Sequence, residues 1–446
     1  MGQREPAMKP RLFALLPALL LSSGLAAAEP RLDRVETKMA AQIQAEHPRA
    51  LALLKESVDI NSGTMNFAGV RRVGTVFERE FKELGFKVQW LDGSGFKRAG
   101  HLVASRGKQG PKILLIGHLD TVFAEDSPFQ TMQLDGPHAG SGPGAADMKG
   151  GNVIMVQSLC ALRDSGQLDK MSLRVVLTGD EENSGEPEAL SKQALLEAGD
   201  WADIAIGFEN AKGDPKYAAI SRRGAGGWHL QVTAKPAHSS QIFKPEVGAG
   251  AIYEVARILE GFRQELAGMQ DLTYNPGVIV GGTDVTLDND SSRGTAFGKS
   301  NVVARNVIVD GDLRAVSAEQ LAAAQKAMRE IVARNLPGAQ AKISFDNGYP
   351  AMARTPGNER MLVIYSGASN DLGYGPVAPV NPRDAGAADI SFVASRVGMA
   401  IDGIGMMGPG NHTVNETADL SSFDSQTQRA ALLLYRLLNP ARREAR

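Results

Sequence analysis

The chain has 446 residues, 43% hydrophobic and 22% charged, an ordinary globular mix too long for one compact core and suited to two or three domains. Its net charge of -2 gives no electrostatic ground for a nucleic-acid or anionic-membrane partner. A single cysteine, Cys160, excludes an intrachain disulfide; it lies in the apolar helical stripe Val153 to Leu162 and reads as a core residue.

Residues 1–28 read as a separate targeting segment. Lys9 and Arg11 precede an apolar run from Leu12 to Leu21, and Gly24-Leu25-Ala26-Ala27-Ala28 follows. That is a charged n-region, an h-region too short to span a bilayer, and an A-x-A cleavage site. Cleavage after Ala28 is expected, which makes the mature protein periplasmic or secreted, with no membrane partner once the leader is removed.

Beyond the leader, the spacing is helical from Leu32 to Leu54 and from Phe67 to Leu84. Phe86 to Leu91 alternates as a strand. Lys112 to Asp120 is a buried strand running into polar residues, and Asp147 to Leu162 turns from a Gly-rich loop into a long apolar helix. Leu173 to Leu177 and Ile204 to Phe208 supply two further strands, ending at acids. Strands alternating with helices predict a parallel or mixed sheet covered on both faces, with sites at the carboxyl ends of its strands.

The rhythm changes after about Ile220. Gly226 to Ala234 alternates as a half-exposed strand, Val247 to Leu266 is helical, and Thr273 to Ser300 is polar and Gly-rich. Val302 to Leu313 alternates again, Ser317 and Gln320 form a capping box for a helix to about Asn335, and Ala341 to Phe345 is a strand. This order predicts a small ferredoxin-like insert. After Gly348 the α/β rhythm resumes, with helices from Asn358 to Leu372, from Ala387, and from Phe423 to Leu438.

The acids and histidines at strand ends form the candidate site. The run Val175 to Leu177 ends in Asp180, Glu181 and Glu182, crowded carboxylates that need neutralising. His118 and Asp120 stand two apart on a strand and point the same way. Asp147 follows the loop Gly140 to Ala146, Glu209 ends another strand, and His412 sits in Gly408-Pro409-Gly410-Asn411-His412. Two histidines with several carboxylates suit Zn²⁺, and the excess of carboxylate favours a bridged pair of ions roughly 3.5–4 Å apart.

Three ordered motifs carry a resemblance. Gly117-His118-Leu119-Asp120-Thr121-Val122, Gly142 to Gly151 (Gly-Pro-Gly-Ala-Ala-Asp-Met-Lys-Gly-Gly), and Thr178-Gly179-Asp180-Glu181-Glu182 resemble the co-catalytic zinc metallopeptidases of the glutamate carboxypeptidase, aminoacylase and succinyl-diaminopimelate desuccinylase class. The resemblance covers nearly all the mature chain. It implies an α/β fold: a mixed sheet sandwiched by helices, with an inserted ferredoxin-like α+β lid and dimerisation domain. Residues 29–221 and 348–446 would form the catalytic domain and 222–347 the lid, with a homodimer through the lid. By position, His118, Asp147 and Glu209 would hold one zinc, and Asp147, Glu182 and His412 the other. Glu181 would be the general base, Asp120 would orient His118, and the peptide after Asp147 would be cis. In the lid, His238 would donate to the substrate carbonyl, and Asn301 and Arg314 would bind substrate. Gly386 would line the pocket.

The departures are Ala-His-Ser-Ser at 237–240, where relatives have Ser-His-Ala-Gly, and Ala-Gly-Ala-Ala-Asp at 385–389 in place of Gly-Gly-Gly-Thr-Asp. Both leave the ligands untouched and bear on substrate preference. The expectation is a di-zinc hydrolase cleaving an amide beside a C-terminal amino acid, acting on small peptides or N-acyl amino acids. Aminoacylase or dipeptidase activity is the alternative. A non-catalytic periplasmic binding protein is the remote one.

Overall fold

A computed structural model describes residues 32–288, 293–346 and 348–439, together with Gly2. The expected leader, residues 1–28, otherwise lies outside the described residues. No helix among the described residues is long and apolar enough to cross a membrane.

The apolar run Lys112–His118 lies inside a six-stranded mixed sheet of order Lys87–Asp92, Gly100–Arg106, Ser172–Thr178, Lys112–His118, Ile204–Gly207, Met399–Ile401. The first two pairings are antiparallel and the rest parallel. Alternation along the strand feeds two cores. Ile113 and Leu115 pack with the helices Lys149–Asp164 and Phe423–Leu437, whereas Leu114 and Ile116 pack with Leu195, Ala198 and Val393 on the opposite face. Burial on both faces explains why these strands read as continuous apolar runs.

Some elements differ from expectation. The helix expected from Leu32 to Leu54 is two, Arg34–Ala45 and His47–Val58, broken at Glu46 with Pro48 in the first turn of the second. The strand Gly100–Arg106 and the helix Gln193–Trp201 add to the expected elements. The helix expected from Ala387 is a single tight turn, Asp389–Phe392. Alanine's helix preference yields there to tertiary bonds, since Gly386 and Asp389 are both engaged by distant side chains.

A second sheet, wholly antiparallel, has the order Thr273–Gly282, Asn306–Arg314, Gly226–Ala234, Ala339–Phe345. The helices Gly250–Leu266 and Ala318–Ala333 cover one face, burying Trp228, Leu230, Val232, Val307 and Val309. This is the ferredoxin-like path, with a hairpin, Asp284–Asp288 and Arg293–Phe297, added after the second strand. The chain crosses between the two sheets twice. The crossings pair with each other through bridges Arg222 to Met352 and Ala225 to Tyr349.

Candidate metal centre

The parallel strands end along one edge of the large sheet. His118 closes its strand, Glu181 and Glu182 follow Thr178, and Glu209 follows Gly207 by two residues. Asp147 precedes the helix Lys149–Asp164, whose start presses onto the strand end carrying Glu209. A Cβ at Gly151 would stand 2.0 Å from the Phe208 carbonyl oxygen, so only glycine allows that approach. The Asp147–Met148 peptide is cis. His412 reaches in from its loop with φ of 62°, left-handed backbone that is uncommon outside glycine.

These side chains converge. His118 Nε2 lies 3.2 Å from Asp147 Oδ1 and 3.3 Å from Glu209 Oε1. His412 Nε2 lies 3.3 Å from Asp147 Oδ2 and 3.1 Å from Glu182 Oε2. Two triads result, His118–Asp147–Glu209 and Asp147–Glu182–His412, each with ligand atoms within 4.8 Å of one another. Asp147 serves both, one oxygen to each.

The electrostatics call for positive charge. Burial pushes the Glu181 carboxyl well above the usual range, raises Glu182, and lifts Glu209 to about 7. Burial also opposes charge on Asp147, but hydrogen bonds from His118 and His412 outweigh it and hold that carboxyl low. The bonds to Asp147 and Glu182 hold the His412 imidazole up to about 11. Divalent cations would neutralise the same acids while taking the histidines as neutral ligands. The donor set fits a metal pair: two nitrogens, carboxylate oxygens, and one shared acid.

A further layer orients these groups. His118 Nδ1 donates to the main-chain oxygen of Asp120 at 3.0 Å, which leaves Nε2 for a metal. The Asp120 carboxylate, 3.5 Å from the same ring nitrogen, accepts the amides of Glu181 and Glu182 at 3.1 Å each and the Thr64 hydroxyl at 2.7 Å. Glu416 accepts the amides of Ala146 at 2.9 Å and Asp147 at 3.0 Å, fixing the loop behind the shared ligand. Asp402 takes the Glu209 amide at 3.3 Å and the Arg222 Nε at 2.8 Å, and Arg222 also donates to the Gly386 carbonyl at 2.8 Å. Beneath Glu181, buried Lys192 lies 3.1 Å from Asp389 and 3.6 Å from Asp180.

The residues expected in the lid bond locally. The main-chain oxygen of Asn301 accepts the Ser239 amide at 2.9 Å, next to His238, whose Nδ1 lies 2.9 Å from the Ser240 hydroxyl. Arg314 pairs with Asp312 at 3.0 Å. Among the described residues, none of His238, Asn301 or Arg314 forms a hydrogen bond or ion pair with either triad. Arg223 donates to the Thr273 hydroxyl at 2.8 Å, and Thr273 stands opposite Arg314 in the sheet, which places a second basic group near Arg314. His101 is structural: it is buried, stacks on Phe96 and bonds the Ser191 carbonyl at 2.8 Å. Sequence reasoning missed Thr64, Glu416, Asp402, Lys192 and Tyr349, whose partners lie far along the chain.

The family model for peptidase family M20/M25/M40 matches residues 114–439. Carboxypeptidase G2 of Pseudomonas sp. strain RS-16 is 25% identical over 440 residues, covering 96% of this chain and 98% of that protein. Among solved structures, aminopeptidase PepT from Bacillus cereus aligns with a TM-score of 0.68 at 18% identity, over 88% of this chain and 99% of its own. The YXEP protein of Bacillus subtilis, a dinuclear metal binding peptidase, aligns with a TM-score of 0.60 at 15% identity, over 88% and 99%. At these identities the two structures share the fold.

Proposed function

The chain belongs to peptidase family M20/M25/M40 and is a metallopeptidase-type amide hydrolase; from that premise we propose that it cleaves the amide bond next to a C-terminal amino acid, in small peptides or N-acyl amino acids. The observation that carries this reading is Asp147 standing between two histidine-bearing triads with Glu181 beside them. His118, Asp147 and Glu209 would hold one zinc, and Asp147, Glu182 and His412 the other. A bound pair supplies Lewis acidity and makes water easier to deprotonate.

The chain's own residues do the rest. Glu181, whose carboxyl takes part in no side-chain hydrogen bond or ion pair among the described residues, accepts the proton of the attacking water and returns it to the leaving amine. Asp120 holds the Glu181 amide and the His118 ring, so base and ligand keep one geometry. His238 would donate to the oxygen that gains charge, and a bound metal pair would add its positive field there. Arg314, with Arg223 near it, suits the substrate's terminal carboxylate through its planar fork. Gly386, whose carbonyl accepts from Arg222, would line the substrate pocket.

Two further parts of the reading rest on separate observations. The leader-like pattern of residues 1–28 supports export to the periplasm or beyond. Exposed Ile252, Tyr253, Ile279 and Phe297 beside an open sheet edge support pairing of two copies through residues 222–347.

The test is hydrolysis of a panel of N-acyl amino acids and dipeptides, alongside the same compounds with the carboxyl amidated, before and after chelation and zinc return. Cleavage of the free acids alone, lost on chelation and regained with zinc, is expected. Metal-independent cleavage, or equal cleavage of the amidated set, would overturn the reading.

A further inference from the structure

Tyr349 stands where the chain returns from the small sheet to the large one. Its carbonyl accepts the Ala225 amide at 3.0 Å, tying the two crossings together. The neighbouring Gly348 lies so close to the first crossing that a Cβ there would stand 1.9 Å from the Ala225 carbonyl oxygen. The tyrosine ring leaves this hinge and packs edge-on against Phe392, with centroids 5.0 Å apart. Its hydroxyl donates to the main-chain oxygen of Glu181 at 2.8 Å. That hydroxyl is itself met by Ser184 Oγ at 3.3 Å and Lys192 Nζ at 3.5 Å.

The main chain of Glu181 is therefore gripped from both sides. Asp120, in the large sheet's unit, holds its N–H, and Tyr349, in the hinge, holds its C=O. Open space borders the hinge. A cavity of about 380 Å³ lies behind it, lined by Gly224, Gly226, Leu313, Ala315, Tyr349 and Phe392 among others.

We propose that Tyr349 is a positioning residue through which the hinge sets the main chain of Glu181, so that movement of the lid and placement of the base are one motion. The proposal rests on the reading of Glu181 as the base. It asks nothing of the tyrosine's own acidity. What matters is one hydrogen bond to one carbonyl, from a residue that travels with the hinge.

The experiment compares Tyr349→Phe, which keeps the ring and removes the hydroxyl, with Ser184→Ala, which removes a partner of that hydroxyl but leaves its bond to Glu181. Both are made in the full chain loaded with zinc. For Tyr349→Phe, kcat on an N-acyl amino acid should fall about five- to tenfold, the span of one net hydrogen bond, with KM within about twofold of the parent. Bound metal should stay unchanged, the melting temperature should fall by no more than about 2–4 °C, and deuterium exchange of the 179–185 amides should quicken. Ser184→Ala should stay near the parent in every readout. A kcat within twofold of the parent would overturn the proposal, as would a loss of kcat matched by lost metal or by a proportional rise in KM. If the parent itself hydrolyses none of the panel, the functional reading fails separately. Exchange then decides the hinge coupling alone, and unchanged exchange in Tyr349→Phe overturns it.

Discussion

One oxygen of Asp120 accepts the main-chain amide of Glu181 at 3.1 Å, while the acid's carbonyl accepts Nδ1 of His118. A single residue thus aligns both a candidate metal ligand and the proposed base. Asp120→Asn turns one acceptor oxygen into an N–H donor facing the amide of Glu181 or Glu182. Activity or metal affinity should fall about 10- to 100-fold, as for comparable supporting groups. Steady-state kinetics with metal titration checks this.

Glu181→Gln should lower kcat about a thousandfold while leaving both metals bound, because Glu181 belongs to neither triad. The pair of measurements is turnover and metal content of the same sample. A variant that loses metal would show that Glu181 is a ligand.

Asp147→Asn should weaken both metal positions at once, since each oxygen of the carboxylate faces a different histidine. Glu209→Gln should weaken one position more than the other. Calorimetric zinc titration distinguishes the two patterns. Thermal melting of the parent should rise with zinc and fall with chelator, and at a hundredfold excess over Kd the gain is about 2.7 kcal/mol.

Lys192→Met should cost about 3–5 kcal/mol, because it strands buried Asp389 and Asp180 without their cation. Burial opposes the lysine's charge, but Asp389 and Asp180 overcome it and hold its pKa above the ordinary 10.5. A raised pKa means the contribution is fully present below 10.5 and is lost as pH rises through the folded value. Urea unfolding should show a constant deficit across neutral pH that narrows only in stronger alkali.

Arg314→Leu should lower kcat/KM about 10- to 100-fold on free-acid substrates, the range of a charged hydrogen bond. Amidated substrates, already poor, should change little. A uniform loss on both would assign Arg314 to the lid's structure instead.

The strands at the heart of the large sheet were legible because they are buried on both faces and stop abruptly at acids, as Leu173 to Glu182 does. The residues of the two triads stood out for the same reason: each sits at a strand end or in a Gly-rich loop. Gly100–Arg106 was not legible, since His101 turns inward and its end is charged, which blurs the alternation. The Ala387 segment misled because local propensity points to a helix, whereas Arg222 and Thr178 hold its ends as a loop. Glu416 left no local signal at all; the amide it holds, that of Asp147, lies 269 positions upstream. Supporting residues of this kind are visible only once the chain is folded.

The two crossings between the sheets have a consequence for biogenesis. A ribosome releases His118, Asp147, Glu182 and Glu209 well before His412 and Glu416, with the whole second sheet synthesised in between. A nascent or truncated chain ending inside that sheet holds every member of one triad and an unfinished version of the other. Its crowded acids then lack both the imidazole that partners them and the carboxylate that braces their loop. Closing this long-range contact is a late and slow event, so the reactive centre comes into being only after the polypeptide has been made almost to its end.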